Sequence, residues 1–315
     1  MNRHIIRLLR PHQWLKNVFV FTPLFFSGHA AEWRYVWPCV IAFLAFCMVA
    51  SGIYCFNDIH DAEADRLHPV KQKRPLASGA VSKPTAYIVM GTAWLLAFAL
   101  IVLTAIRRGG TAFPPEVALA ATLFFYIVMN IAYCVRLKQI ALLDVLIIAM
   151  GFVLRIIAGG LVAGISLSHW IVLTTFLLAL FLAMAKRRDD LAIYETSGVK
   201  PRKNIVRYNM DFLNLSIAVL GSITIMCYIL YTVSGEGLRI GSRRGGTAFP
   251  PATERVGSRY LYVTSVFVVA GILRYMQLTL VDRKSGSPTM VLLHDHFVLV
   301  CVMGWILSFA VILYS

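Results

Sequence analysis

Apolar and polar positions along the chain are sorted into long blocks. Apolar runs of roughly 17–25 residues occur at about 17–30, 36–56, 84–106, 117–135, 140–164, 169–185, 212–233, 260–280 and 296–315. None alternates with period two, which excludes a lipid-facing barrel strand. Runs of this length match the hydrocarbon thickness of a bilayer when coiled as helices. The pattern therefore predicts an all-α polytopic membrane protein with about nine transmembrane helices, a single membrane domain over residues 1–315. The first run is the weakest, because PLFFSGHA interrupts it.

Composition supports this solvent. Hydrophobic residues make up 59% of the 315 and charged residues only 14%, with mean hydropathy +0.73. A soluble domain carries about a quarter charged residues. In lipid the backbone must satisfy its own hydrogen bonds, which helices do.

The net charge of +15 does not point to nucleic acid, because the basic residues lie between the apolar runs and form no stripe interleaved with aromatics. Twenty Lys and Arg fall in the N-terminus and the loops after the even-numbered runs, and eight in the opposite loops. By the positive-inside rule the first set is cytoplasmic. The expected location is thus the bacterial cytoplasmic (inner) membrane, multi-pass, with membrane lipids as neighbours. The six cysteines (Cys39, Cys47, Cys55, Cys134, Cys227, Cys301) lie in or beside apolar runs without metal spacing and read as small packing residues. No cleavable leader is expected, since the basic N-terminus precedes a run lacking a small-residue cleavage site. RRGGTAFPP occurs twice, at Arg107–Pro115 and Arg243–Pro251, both in loops of the side expected to be external. Its Gly, Pro and Thr suit permissive turns.

The chemistry concentrates in Asn57–Gly79, NDIHDAEADRLHPVKQKRPLASG. Asp58, Asp61 and Asp65 are spaced i, i+3, i+7, which places three carboxylates on one face of a continuing helix. Such a stack repels itself unless a hard cation such as Mg²⁺ joins it. Magnesium takes few carboxylates and prefers phosphate oxygens for the rest, so a phosphorylated ligand is implied. The bland alternative is a solvated acidic helix end. Asn57 adjoins the first aspartate. Lys71, Lys73 and Arg74 follow between Pro69 and Pro75, where a basic loop can fold over phosphate.

This motif, N-D-x-x-D-x-x-x-D then H-P-x-K-x-x-R-P-x-x-x-G, resembles the first aspartate motif of the UbiA-type intramembrane prenyltransferase superfamily, and the resemblance extends over nearly the whole chain. It implies a helical bundle around a central cavity with the aspartate loops at its cytoplasmic mouth. After the sixth run, MAKRRDDLAIYE places Lys186, Arg187 and Arg188 ahead of Asp189 and Asp190. There, members that prenylate aromatic rings carry a second acidic motif. The substitution is similar to the decaprenyl-phosphate phosphoribosyltransferase branch, as are RPHQWLKN (Arg10–Asn17), YCVRLK (Tyr133–Lys138), VLRIIAGG (Val153–Gly160) and ILRY (Ile272–Tyr275).

The resemblance implies Mg²⁺-dependent transfer of 5-phosphoribose from phosphoribosyl diphosphate to a polyprenyl phosphate lipid. Asp58, Asp61 and Asp65 would be catalytic metal ligands. Lys16, Asn17, Asn57, Lys71, Arg74, Tyr133, Lys138, Asp144, Arg155, Lys186, Arg187 and Asp190 would bind substrate. Each has a structural alternative: Lys16, Lys138 and Arg274 as snorkelling cations, Tyr133 as an interfacial aromatic. Asp144 and Arg155 are ionisable residues within a span, and their separation of 11 residues, about 16 Å of helical rise, argues against a mutual pair. Asp189 and Asp190 leave a second metal contact open. The competing enzymatic reading is an aromatic prenyltransferase of quinone or haem biosynthesis. A transporter would show midplane charges and inverted repeats, which are not visible here. A homo-oligomer is left open.

Overall fold

A computed structural model of the chain describes residues 2–67, 71–108, 115–197, 204–234, 256–282, 291 and 294–314. Among these residues every regular element is helical. After α1 (Asn2–Leu9) the chain runs through a 3₁₀ segment (Pro11–Phe21) into the short α2 (Thr22–Phe26). The long helices are α3 (Trp33–Arg66), α4 (Lys83–Arg108), α5 (Pro115–Val135), α6 (Leu143–Ala163), α7 (His169–Ser197), α8 (Met210–Val233), α9 (Ser265–Leu280) and α10 (His296–Tyr314). Eight stretches, one on each of α3 to α10, are long and apolar enough to cross a membrane, that of α9 starting at Tyr260 in the preceding 3₁₀ turn.

The first expected span takes the form of the 3₁₀ segment plus α2. Pro11 starts it, and Gly28 at φ 77° turns the chain out of it, so PLFFSGHA does end the run early. Both copies of RRGGTAFPP lie outside the described residues, except for Arg107 and Arg108 at the end of α4 and Pro115 at the start of α5. Pro69, Lys200, Arg202, Lys203, Arg283 and Lys284 are outside them too.

Helix length positions the chemistry. At 1.5 Å per residue the 34 residues of α3 rise about 51 Å, against a hydrocarbon core of roughly 30 Å. Its last turns, with Asp58, Asp61 and Asp65, therefore project past the apolar stretch as an unbroken helix. The 29 residues of α7 do the same for Lys186–Asp190. Side chains such as Leu95, Phe98, Phe124, Leu215, Val266 and Leu307 are more than half exposed, an arrangement suited to lipid contact and adverse in water.

The chain gathers into two compact units. The first comprises Met1–Phe25, His29–Lys138 and Leu154–Ile165. Its core joins α3, α4, α5 and the end of α6 around Phe46, Val49, Leu123, Tyr126 and Ala158. Gly52 lets α3 approach the Trp94 indole of α4, and Gly159 lies against the Val20 carbonyl. A smaller core docks α1 through Leu8 onto Cys55, Ile59 and Ala62 of α3. The second unit comprises Phe26–Gly28, Gln139–Val153 and Ser166–Ser315, cored by Val145, Phe181, Met184, Leu213, Ile217 and Tyr275. Asn209 caps α8, its side-chain oxygen accepting from the Phe212 amide at 2.7 Å. All six cysteines are buried and reduced.

Candidate functional site

On α3 each residue advances about 100°, so Asp65 lies about 20° from Asp58 around the helix and Asp61 about 60° away. Side-chain surroundings follow that division. Asp58 and Asp65 are buried and share one arginine: Arg74 Nη1 donates to Asp65 Oδ2 at 2.6 Å and to Asp58 Oδ1 at 3.3 Å. Arg10 Nη2 donates to the same Asp58 oxygen at 2.5 Å. Asp61 is a quarter exposed and takes a different cation. Lys138 Nζ donates to both of its oxygens at 2.7 Å, and His60 Nδ1 lies 3.1 Å from Oδ1.

The first unit thus holds three aspartates already matched by Arg10, Arg74 and Lys138. Among the described residues, no three His, Cys, Asp or Glu side chains gather as a metal site. One atom still suits a cation: Asp58 Oδ2 is buried and has no hydrogen-bond partner among the described residues. An unsatisfied buried carboxylate oxygen is costly, and hard oxygen donors are what Mg²⁺ takes. Asp58 Oδ2 is thus the oxygen of the row that suits a magnesium ion, while Asp58 Oδ1, Asp65 Oδ2 and both Asp61 oxygens are engaged by Arg10, Arg74 and Lys138.

The other expected residues of this unit occupy varied surroundings. Asn57 is half-buried beside Asp58, and Lys71 is half-buried in the 3₁₀ turn Lys71–Lys73. Lys16 is exposed and Tyr133 half-buried. Asn17 is fully buried, its Oδ1 accepting from Arg155 Nε at 2.7 Å and its Nδ2 donating to Cys47 Sγ at 3.3 Å. Arg155 Nη2 also donates to Tyr126 OH at 2.8 Å, and its guanidinium lies over the Phe46 and Tyr126 rings. The intraspan arginine is thus held by amide, phenol and aromatic faces.

The second unit contains a separate cluster. Arg187, fully buried, donates from Nε to Asp144 Oδ2 at 2.8 Å and from Nη1 to Asp190 at 2.6 Å. Tyr208 OH donates to Asp144 Oδ1 at 3.1 Å and accepts the Leu142 amide at 2.8 Å. Burial raises the Tyr208 phenol to about 12, with the Leu142 amide opposing and the Asp144 carboxylate reinforcing the shift, so it stays a donor at neutral pH. Arg188 Nε donates to Asn214, and its guanidinium caps the carbonyls of Thr279 and Leu280 at the end of α9. Lys186 is exposed. The Lys-Arg-Arg run therefore divides into an exposed lysine, a buried ion-paired arginine and a helix-capping arginine. Arg187 Nη2 retains no acceptor among the described residues. Asp144 and Arg155 have different partners, as their spacing requires. Arg274 pairs with Asp295 at 2.8 Å.

Sequence reasoning missed Arg10 and Tyr208 as cluster members. Arg10 had a faint signal, as the first residue of RPHQWLKN. Tyr208 had none, since 64 residues separate it from Asp144. The structure adds another feature. Among the described residues the two non-glycine residues with positive φ are Arg10 (51°) and Leu142 (66°). Such backbone costs about 1–2 kcal/mol and concentrates at functional sites. Each adjoins one cluster: Arg10 through its guanidinium, Leu142 through its amide on Tyr208.

The family model described as the UbiA prenyltransferase family matches residues 18–201. A decaprenyl-phosphate phosphoribosyltransferase from Mycolicibacterium smegmatis is 34% identical over 306 residues, covering 96% of this chain and 90% of that protein. One of the same name from Corynebacterium glutamicum is 33% identical, covering 98% and 86%. A solved UbiA homolog from Archaeoglobus fulgidus, bound to GPP and Mg²⁺, superposes with TM-score 0.65 at 19% identity, covering 99% of this chain and all of that one. That likeness concerns the fold.

Proposed function

Because the chain belongs to the UbiA prenyltransferase family, we propose that it transfers 5-phosphoribose from phosphoribosyl diphosphate to a polyprenyl phosphate, decaprenyl phosphate in its relatives' name. The observation that carries this reading is the aspartate row of α3 with its own set of cations. Asp58, Asp61 and Asp65 would hold Mg²⁺, which when bound neutralises charge on a departing diphosphate.

The chain's residues supply binding and electrostatics. Arg74 and Lys138, both partly exposed, are donors for the diphosphate oxygens. In the second unit, exposed Lys186 and Arg187 Nη2, which has no acceptor among the described residues, suit a phosphate monoester. In the reaction the bond from ribose C1 to the diphosphate oxygen breaks as an acceptor phosphate oxygen bonds to C1. That oxygen is already anionic at neutral pH, so no side chain must remove a proton. Asp61 and Asp65 are engaged by cations and act as ligands, not as bases. Catalysis rests on positioning and charge. The excess of basic residues in the N-terminus and the loops after the even-numbered runs supports a cytoplasmic side for the N-terminus and the aspartate row.

The test uses purified protein with radiolabelled phosphoribosyl diphosphate and decaprenyl phosphate. A labelled lipid-linked product should form with Mg²⁺, vanish with chelator, and fall at least about 100-fold in Asp58→Asn. Failure to form it, with an aromatic acid and a prenyl diphosphate giving product instead, would overturn the assignment.

A further inference from the structure

Arg10 has no part in the mechanism above, yet it makes the shortest contact to the aspartate row and does so from a strained backbone. We propose that Arg10 is a diphosphate-binding residue of the donor site, held in reserve on Asp58 until metal and diphosphate arrive together. The proposal rests on the donor reading above and deepens it.

The strain at Arg10 is not needed to hold the chain in place. Leu8 is fully buried against α3. On either side of Arg10, Ser51 Oγ donates to the Leu9 carbonyl at 2.8 Å and accepts from Trp14 Nε1 at 3.0 Å. These anchors fix the turn without the Arg10 side chain. What φ 51° and ψ 58° then accomplish is to aim the guanidinium, which lies 5.2 Å from the Tyr54 ring centroid, at Asp58.

Burial gives the order of approach. The Arg10 side chain is 18% exposed and that of Asp58 only 1%. An anion entering from water meets the guanidinium before the carboxylate. Arg74, the second arginine on the same oxygen, is likewise the outer member of its pairs.

Charge then couples the two ligands. Asp58, Asp61 and Asp65 carry three negative charges, and Arg10, Arg74 and Lys138 carry three positive. A divalent cation alone must displace those cations and leave them without anions. A diphosphate alone must strip them from the carboxylates. Arriving together, the metal takes the carboxylates and the diphosphate takes the cations, so every charge keeps a partner. Arg10 can make this exchange by side-chain rotation alone, because the chain on either side of it is held through Leu8, Leu9 and Trp14. A planar guanidinium suits bidentate capture of phosphate oxygens.

The experiment uses the full chain in detergent, with Mn²⁺ as the metal probe by electron paramagnetic resonance and inorganic diphosphate by calorimetry. In the parent, diphosphate should tighten Mn²⁺ binding at least about tenfold, and Mn²⁺ should tighten diphosphate by the same factor. Arg10→Gly keeps a backbone suited to positive φ, which offsets part of the cost of leaving buried Asp58 to Arg74 alone, so it should stay folded in the assay with a modestly lowered melting temperature. It should bind Mn²⁺ alone several-fold more tightly, lose about tenfold in affinity for diphosphate with Mn²⁺, and show weaker coupling. Arg10→Lys should recover part of the diphosphate affinity. Unchanged diphosphate affinity in Arg10→Gly would make Arg10 a mere counterion and overturn the proposal. So would a melting temperature far below the parent's, which would make it a structural clamp. A parent that binds neither probe would overturn the donor reading itself.

Discussion

Lys138 closes on Asp61 with both carboxylate oxygens at 2.7 Å, across 77 residues of sequence. The contact ties the 3₁₀ turn after α5 to the end of α3, two segments whose positions along the chain give no hint of proximity. It also accounts for why Asp61, unlike Asp58 and Asp65, stands partly exposed: its azimuth on the helix turns it toward a different cation.

If Lys138 transfers to the diphosphate, Lys138→Gln should raise the KM for phosphoribosyl diphosphate by roughly 10- to 100-fold, the loss expected for a hydrogen bond to a charged group. Lys138→Arg should retain more affinity. Steady-state kinetics at saturating acceptor measures both. A change in kcat without a change in KM would argue against direct contact.

Arg187 and Asp144 are both fully enclosed. Removing one partner leaves a buried charge, so Arg187→Met or Asp144→Leu alone should destabilise by about 3–5 kcal/mol. The double variant should cost less than the sum of the single changes. Thermal unfolding in detergent gives the cycle, and simple additivity would show that the two do not depend on each other.

Tyr208→Phe removes both the acceptor of the Leu142 amide and a donor to Asp144, and should cost about 1–3 kcal/mol. Because burial raises the phenol to about 12, its contribution is complete below the unfolded value of about 10 and declines as pH rises from there through the folded value. The stability difference between parent and variant should therefore be flat from pH 6 to 9 and shrink above about 10. A difference that grew with alkalinity would contradict the assigned environment.

Gly159→Ala would drive a methyl into the Val20 carbonyl, which is backbone and cannot rotate away. The variant should fold poorly or melt well below the parent. At Gly52 the obstacle is the Trp94 side chain, so Gly52→Ala combined with Trp94→Phe should recover part of any loss. Melting temperatures in one detergent compare the two sites.

The sequence by itself determined the membrane as solvent, the helical class and the aspartate row. Hydropathy blocks and helical spacing are local properties, and lipid permits few other structures for such runs. The motif was legible for the same reason, since its three acids lie within two turns of one helix. Only the tertiary structure decided which cation meets which carboxylate. Arg10 with Asp58, Lys138 with Asp61 and Arg187 with Asp144 join segments 43 to 77 residues apart. It also divided Lys186, Arg187 and Arg188, alike in sequence, among an exposed position, a buried ion pair and a helix end, because successive helical residues point 100° apart into different surroundings.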